Sequence, residues 1–329
     1  VEIRGYLRQL FVLGFEGKTI PQEFKPLLRK DPIGGIILFE ENIEDTRQLR
    51  ELIRGAQSLS PLPLLVMIDQ EGGETNRIKK EIPQFPSNRF YGEREDFQGA
   101  TLAYSETAKA LKGLGINVNL APAVDLVSDP KSSILGERSF GGDANLVAKL
   151  SSLSVQAIQR EGILACAKHF PGLGGTAIDP HTALPSDPRE KDEFSSWDWL
   201  PFRTAIASGV KLVMTTHLAC PNLDPSGLPA SLSQEITSSI LRGELGFEGT
   251  IITDDLGMGA IRENFPLGEA VSLAIEAGAN LILLCHNLSK QLEVMEETLK
   301  RALTSRAIRD KFPRSYERIM KAKKDLGLS

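Results

Sequence analysis

The sequence predicts an α/β fold, a single (β/α)8 TIM barrel with extra C-terminal helices. Eight short apolar runs rich in β-branched residues recur along the 329 residues. Amphipathic stretches separate them, and ionisable residues close several runs at the same end.

The runs are Leu10–Phe15, Gly35–Phe39, Leu64–Asp69, Ile116–Leu120, Ile163–His169, Leu212–His217, Thr250–Asp254 and Asn280–Leu284. Between them, helical periodicity is carried by Leu49, Leu52 and Ile53; by Leu102, Ala108 and Leu111; by Leu146, Leu150, Leu153, Val155 and Ile158; and by Ile236, Ile240 and Leu241. Continuously apolar strands alternating with amphipathic helices indicate parallel strands buried on both faces. Eight such units favour a closed barrel over an open doubly wound sheet. No linker or composition shift divides the chain, so one catalytic domain over 1–329 is expected. From Gln291 to Leu326 the pattern reads as two outer helices parted at Pro313. Lys321, Lys323 and Lys324 read as a solvated helix face.

Composition narrows the function. Hydrophobic residues are 41% and charged residues 25% of the chain, and the net charge is −5. A general nucleic-acid binder needs a Lys/Arg excess instead. No apolar run approaches the ~18–20 residues of a membrane span. Cys166, Cys220 and Cys285 match neither C-x-x-C nor zinc spacing and read as buried, reduced packing residues. Such thiols suit a reducing compartment. The start Val1-Glu2-Ile3-Arg4, without an initiator Met, leaves a cleaved export signal or lipid anchor open. The oligomeric state is not legible.

In a barrel of this kind, polar groups at the C-terminal strand ends converge on the active site. Asp69 closes the third run, Lys168 and His169 the fifth, His217 the sixth, and Asp254 and Asp255 the seventh. After Lys168-His169, a Gly/Pro-rich loop reaches Asp179-Pro180-His181, where the aspartate could orient the imidazole as a general acid/base; a plain surface turn is the rival reading. Asp254, first beyond its strand, is the better nucleophile candidate. Asp255 is either a helix cap or a support. Asp69 could take two sugar hydroxyls, with Arg77 reaching back as a donor past the Gly72-Gly73 turn. Arg138 lies on the long loop after strand four, where an ordinary surface arginine is the alternative.

At these residues the sequence resembles bacterial β-N-acetylglucosaminidases of glycoside hydrolase family 3. The resemblance rests on Gly-Gly-Ile-Ile-Leu-Phe (34–39), Ile-Asp-Gln-Glu-Gly-Gly (68–73), Asn-Leu-Ala-Pro-Ala-Val-Asp (119–125), Gly-Glu-Arg-Ser-Phe (136–140), Lys-His-Phe-Pro-Gly (168–172), Asp-x-His (179–181) and Thr-Asp-Asp-Leu-x-Met (253–258). It implies retaining hydrolysis of terminal β-linked N-acetylglucosamine, with peptidoglycan (muropeptide) fragments as substrate and no metal or organic cofactor. By the same resemblance Asp254 is the nucleophile and His181 with Asp179 the acid/base dyad. Asp69, Arg77, Arg138, Lys168 and His169 bind the sugar, and His217 stands near the site. The chain departs from the family at Pro180, where Ser is usual, at Leu173 and Gly175, at Glu74 in place of Arg, and at His286 after Cys285. These changes bear on aglycone preference and turnover.

A histidine acid/base lacks the charge that would repel an anionic acceptor, so phosphorolysis stands as an alternative to hydrolysis. A degenerate sugar-binding barrel is a second alternative. A Schiff-base enzyme using Lys168 and a metal-dependent hydrolase using His169, His181 and His217 are weaker rivals, the latter lacking a compact ligand cluster.

Overall fold

The computed structural model describes residues 2–30 and 32–328; Val1, part of the N-terminal reading above, lies outside them. Eight strands form one sheet: β1 (Phe11–Leu13), β2 (Gly35–Leu38), β3 (Leu65–Ile68), β4 (Val118–Asn119), β5 (Leu164–Phe170), β6 (Leu212–Thr215), β7 (Thr250–Thr253) and β8 (Ile282–Leu284). Each falls within, or one residue beyond, a run singled out in the sequence. Neighbours pair parallel in chain order, and β1 also pairs with β8. The bridge Ile252–Leu281 and the bond from Thr253 N to Leu281 O close the circle. All residues of these strands are buried, as a parallel sheet wrapped by helices requires. β4 is the shortest, yet Asn117 N and Leu120 N continue its ladder to Val66 O and Ile68 O.

Local chemistry sets the helix ends. Asp45, Asp96 and Asp143 accept from backbone N–H groups three residues on, capping the helices Thr46–Leu59, Phe97–Leu114 and Ala144–Arg160. Helix Phe97–Leu114 turns its small residues inward: Ala100, Ala103, Thr107 and Ala108 are buried, whereas Leu102 is 59% exposed. Leu102 therefore does not belong to the inward stripe, because at 3.6 residues per turn it points away from Ala100, Ala103, Thr107, Leu111 and Leu114.

The C-terminal segment holds more than the two helices expected. Three helical pieces follow β8, at Leu288–Thr304, Arg306–Arg309 and Phe312–Asp325. Ser305 parts the first two, its hydroxyl accepting from Ile308 N. Pro313 opens the last helix instead of breaking one, since its missing N–H would be unpaired in a first turn anyway. Lys321 and Lys324 are exposed, but Lys323 is fully buried and donates to Gln9 Oε1 at 2.7 Å. The three cysteines are free and buried. Among the described residues, no helix is long and apolar enough to cross a membrane.

Candidate active site

The C-terminal strand ends open into a cavity of about 490 Å³ lined by Asp69, Arg77, Arg138, Lys168, His169, His181, Asp254 and Asp255, among others. Asp179 and His217 do not line it; each stands behind a residue or segment that does.

One wall is a buried charge cluster. Lys168 and His169 are consecutive at the tip of β5, joined by a cis peptide, and the ladder to β6 shifts register there. Lys168 Nζ lies 2.7 Å from Asp69 Oδ1 and 2.7 Å from Glu71 Oε1. Arg138 grips Glu71 with two bonds, Nε to Oε2 at 3.1 Å and Nη2 to Oε1 at 2.8 Å, the fork geometry that fixes a carboxylate. It is therefore no ordinary surface arginine. Arg77 Nη2 reaches Asp69 Oδ2 at 3.2 Å, and its guanidinium lies over the Phe39 ring.

Burial alone would raise both carboxyl pKa values. Lys168 and Arg77 nevertheless hold Asp69 far below the usual carboxylate range, and Arg138 with Lys168 holds Glu71 at about 2. Burial likewise works against the Lys168 ammonium, but Asp69 and Glu71 raise its pKa above the ordinary value. The cluster thus presents fixed charges, three cations against two carboxylates, which no exposed surface would hold so rigidly.

His169 continues this wall. Asp125 Oδ2 accepts from His169 N at 3.0 Å and bonds the ring Nδ1 at 2.8 Å, while Oδ1 accepts from Leu173 N at 2.7 Å. Arg138 Nη2, always a donor, stands 3.3 Å from His169 Nε2. These partners put the ring proton on Nδ1 and leave Nε2 as acceptor.

The opposite wall follows β7. Asp254 N donates to Thr215 O at 2.9 Å, and Asp254 Oδ1 accepts from Asp255 N at 2.9 Å. Asp255 is not a helix cap, for the helix Gly259–Arg262 begins after Met258 without a side-chain cap. Its Oδ1 accepts instead from Gly257 N at 3.0 Å and Cys285 N at 3.1 Å, tying the segment after β7 to the end of β8. Burial raises the Asp255 pKa. His217 is fully buried, with Nε2 donating to Asp255 O at 2.9 Å and Nδ1 bonded to Ser231 Oγ at 2.8 Å. Burial lowers its pKa, so it supports this segment as a neutral ring.

Asp179 and His181 form a close pair on the loop after β5. The Asp179 Oδ1 atom accepts from His181 N at 2.9 Å and lies 2.7 Å from His181 Nδ1. Burial would raise the Asp179 pKa, but the bonds from His181 outweigh it and lower the pKa. An ionised carboxylate only accepts, so Nδ1 carries the proton and Nε2 is left for chemistry. Pro180 interferes with neither bond. Its carbonyl accepts from Ala260 N at 2.9 Å, and that of His181 accepts from Gly259 N at 3.1 Å. The dyad loop is thereby docked on the segment after β7.

Sequence reasoning missed Glu71, Asp125 and Asn119 as parts of this site. Glu71 had a signal: Asp69-x-Glu71 alternates like a strand, and Gln70–Gly72 is extended and pairs with Thr75–Asn76, so both carboxylates face one way. Gly72, at φ +102, brings that hairpin against Pro86, whose carbonyl oxygen a Cβ would meet at 2.5 Å. Buried Asn119 anchors the hairpin by exchanging two bonds with the Gln70 backbone. Among the described residues, no three His, Cys, Asp or Glu are grouped so as to hold a metal ion.

Residues 3–322 match the Glycosyl hydrolase family 3 N terminal domain. Among curated proteins, the chain is 38% identical over 286 residues to beta-hexosaminidase A of Pseudoalteromonas piscicida, covering 81% of this chain and 48% of that one. It is 34% identical over 282 residues to a beta-hexosaminidase of Alkalilimnicola ehrlichii, covering 84% and 80%. Among solved structures, a family 3 beta-N-acetylglucosaminidase from Paenibacillus sp. superposes with a TM-score of 0.95 at 36% identity, covering 98% of this chain and 62% of that one. A beta-N-acetylhexosaminidase from Beutenbergia cavernae gives 0.91 at 26% identity, covering 98% and 99%. The chain thus spans about half the length of the Pseudoalteromonas relative and nearly all of the Beutenbergia structure.

Proposed function

The chain belongs to glycosyl hydrolase family 3, and from that premise we propose that it is a retaining β-N-acetylhexosaminidase acting on terminal, non-reducing β-linked N-acetylglucosamine. The observation that carries this reading is the sharing of one cavity by Asp254, His181 and the charged groups Asp69, Lys168 and Arg138, the last two held from behind by Glu71. The relatives named beta-hexosaminidase support the choice of sugar.

Asp69, Arg77, Arg138, Lys168 and His169 hold the sugar hydroxyls through charged donors and acceptors fixed before substrate arrives. Asp254 attacks the anomeric carbon while His181 Nε2–H protonates the departing glycosidic oxygen, so the C–O bond to the aglycone breaks as the bond to Asp254 forms. Asp179 stabilises the imidazolium before this transfer and orients the ring. His181 then accepts a proton from water, which attacks the same carbon and releases Asp254. Two inversions retain the β configuration. Peptidoglycan (muropeptide) fragments are the natural substrate in this reading and the whole 1–329 chain the catalytic unit, acting in the cytoplasm.

Turnover of p-nitrophenyl N-acetyl-β-glucosaminide by wild type, Asp254→Ala and His181→Ala tests the reading. Wild type is expected to exceed both by orders of magnitude. A wild type no faster than Asp254→Ala would leave a sugar-binding barrel. Appearance of sugar 1-phosphate only when phosphate is added would make it a phosphorylase.

A further inference from the structure

The docking of the dyad loop has a builder that the proposed reaction does not name. Two successive backbone N–H groups after β7 carry it: Gly259 N donates to His181 O at 3.1 Å, and Ala260 N to Pro180 O at 2.9 Å. The approach is too close for a side chain. A Cβ on Gly259 would lie 2.5 Å from His181 O and 2.9 Å from Thr182 O, both backbone atoms that no rotamer change can move.

The donor segment is itself held from behind. Asp255 Oδ1 accepts from Gly257 N and Cys285 N, and His217 Nε2 donates to Asp255 O. Within this one segment, Asp254 and Gly259 are five residues apart in sequence and line the same cavity as His181. Meanwhile His181 and Asp179 have half-exposed or exposed side chains, 71% and 47%, so packing does little to fix them.

Resting on the reading of Asp254 as nucleophile and His181 as acid/base, we propose that Gly259 and Ala260 are positioning residues that set His181 against Asp254. Their N–H pair makes one backbone segment carry the nucleophile and locate the acid. A misplacement on the order of 1 Å costs about 10²-fold in a step that depends on orientation, and general acid catalysis contributes about 10²–10⁴-fold. The loss should therefore fall on substrates whose leaving group needs a proton.

The test compares wild type, Gly259→Ala and His181→Ala on aryl N-acetyl-β-glucosaminides spanning good to poor leaving groups. For Gly259→Ala, a loss of about 10²-fold is expected on phenyl or methylumbelliferyl glycosides, with a far smaller loss on the 2,4-dinitrophenyl glycoside. N-acetylglucosamine should still bind as an inhibitor with near wild-type affinity, because the charge cluster is untouched. Should Gly259→Ala not yield folded protein by circular dichroism, Ala260→Pro, which deletes one donor without adding a Cβ at 259, carries the same comparison. Equal losses on all leaving groups, or none, would overturn the proposal while His181→Ala retains its leaving-group dependence. If His181→Ala shows no such dependence, the acid/base reading itself fails.

Discussion

Lys168 Nζ bridges Glu71 and Asp69, 2.7 Å from each carboxylate, at a depth where water reaches neither the ammonium nor Glu71. Breaking one arm leaves a buried cation partly uncompensated, which typically costs about 3–5 kcal/mol. Arg138 keeps His169 and Lys168 keeps Asp69, so Glu71→Gln is expected at the low end, about 3 kcal/mol. The Glu71 pKa is lowered from 4.5 to about 2 on folding. Its stabilisation is therefore complete above pH 4.5 and lost as pH falls through about 2. Urea denaturation across that window should show a flatter acid limb for Glu71→Gln than for wild type. An unchanged limb would mean that the pair does not stabilise the fold.

If Asp254 forms the covalent intermediate, a small residue there leaves room for an external anion. Asp254→Gly with azide should restore turnover of an activated aryl glycoside and give the α-glycosyl azide, since only one inversion then occurs. The product is assigned by proton NMR. A β-azide, or no rescue with the sugar still bound, would remove Asp254 from the nucleophile's role.

Asp179→Asn keeps the shape of the dyad but offers His181 an amide whose NH2 competes for Nδ1, favouring the wrong tautomer. A loss of about 10²-fold or more in kcat is expected on a poor leaving group, with KM little changed. Equal kcat values would show that Asp179 has no part in proton transfer.

Pro180 stands where the family resemblance leads one to expect serine, and its carbonyl accepts from Ala260 N. Pro180→Ser keeps that bond but gives up a buried ring, so kcat should change by no more than about twofold while stability falls by about 1 kcal/mol. A tenfold gain in kcat would instead show that ring stiffness limits the loop.

The barrel was legible because eight buried runs and their polar ends are local patterns, and each run became a strand. That Asp69, Lys168, His169 and Asp254 meet at one cavity was legible for the same reason. Asp125 was not, and Glu71 showed only in its alternation with Asp69, for their role is to hold Lys168, Arg138 and His169 across distances in sequence which periodicity does not encode. For Asp255 the sequence left cap and support open, because the strand-end aspartate pattern is the same for both until Cys285 N arrives from another strand. Leu102 and Pro313 misled for other reasons: Leu102 lies off the stripe that Ala108 and Leu111 share, and Pro313, compatible with a first turn, opens a helix instead of ending one.

Lys323 is the sharpest such case, a lysine in a charged run that is nevertheless fully buried. Its hydrogen bond goes to the neutral amide of Gln9, and among the described residues no carboxylate lies within ion-pair distance. Burial lowers its pKa from 10.5 to about 7. Between those values the unfolded chain binds a proton that the folded chain does not, so stability falls as pH drops from 10.5 to 7 and levels off below. Lys323→Met removes this cost but leaves Gln9 Oε1 unpaired, a penalty of about 1–3 kcal/mol. The net expectation is a variant more stable at pH 7, by about 2 kcal/mol, with a weaker dependence on pH between 7 and 10.5. Guanidinium denaturation at pH 7 and pH 10 checks both parts. A variant less stable at pH 7 with wild-type pH dependence would mean that Lys323 is charged in the fold and compensated by water.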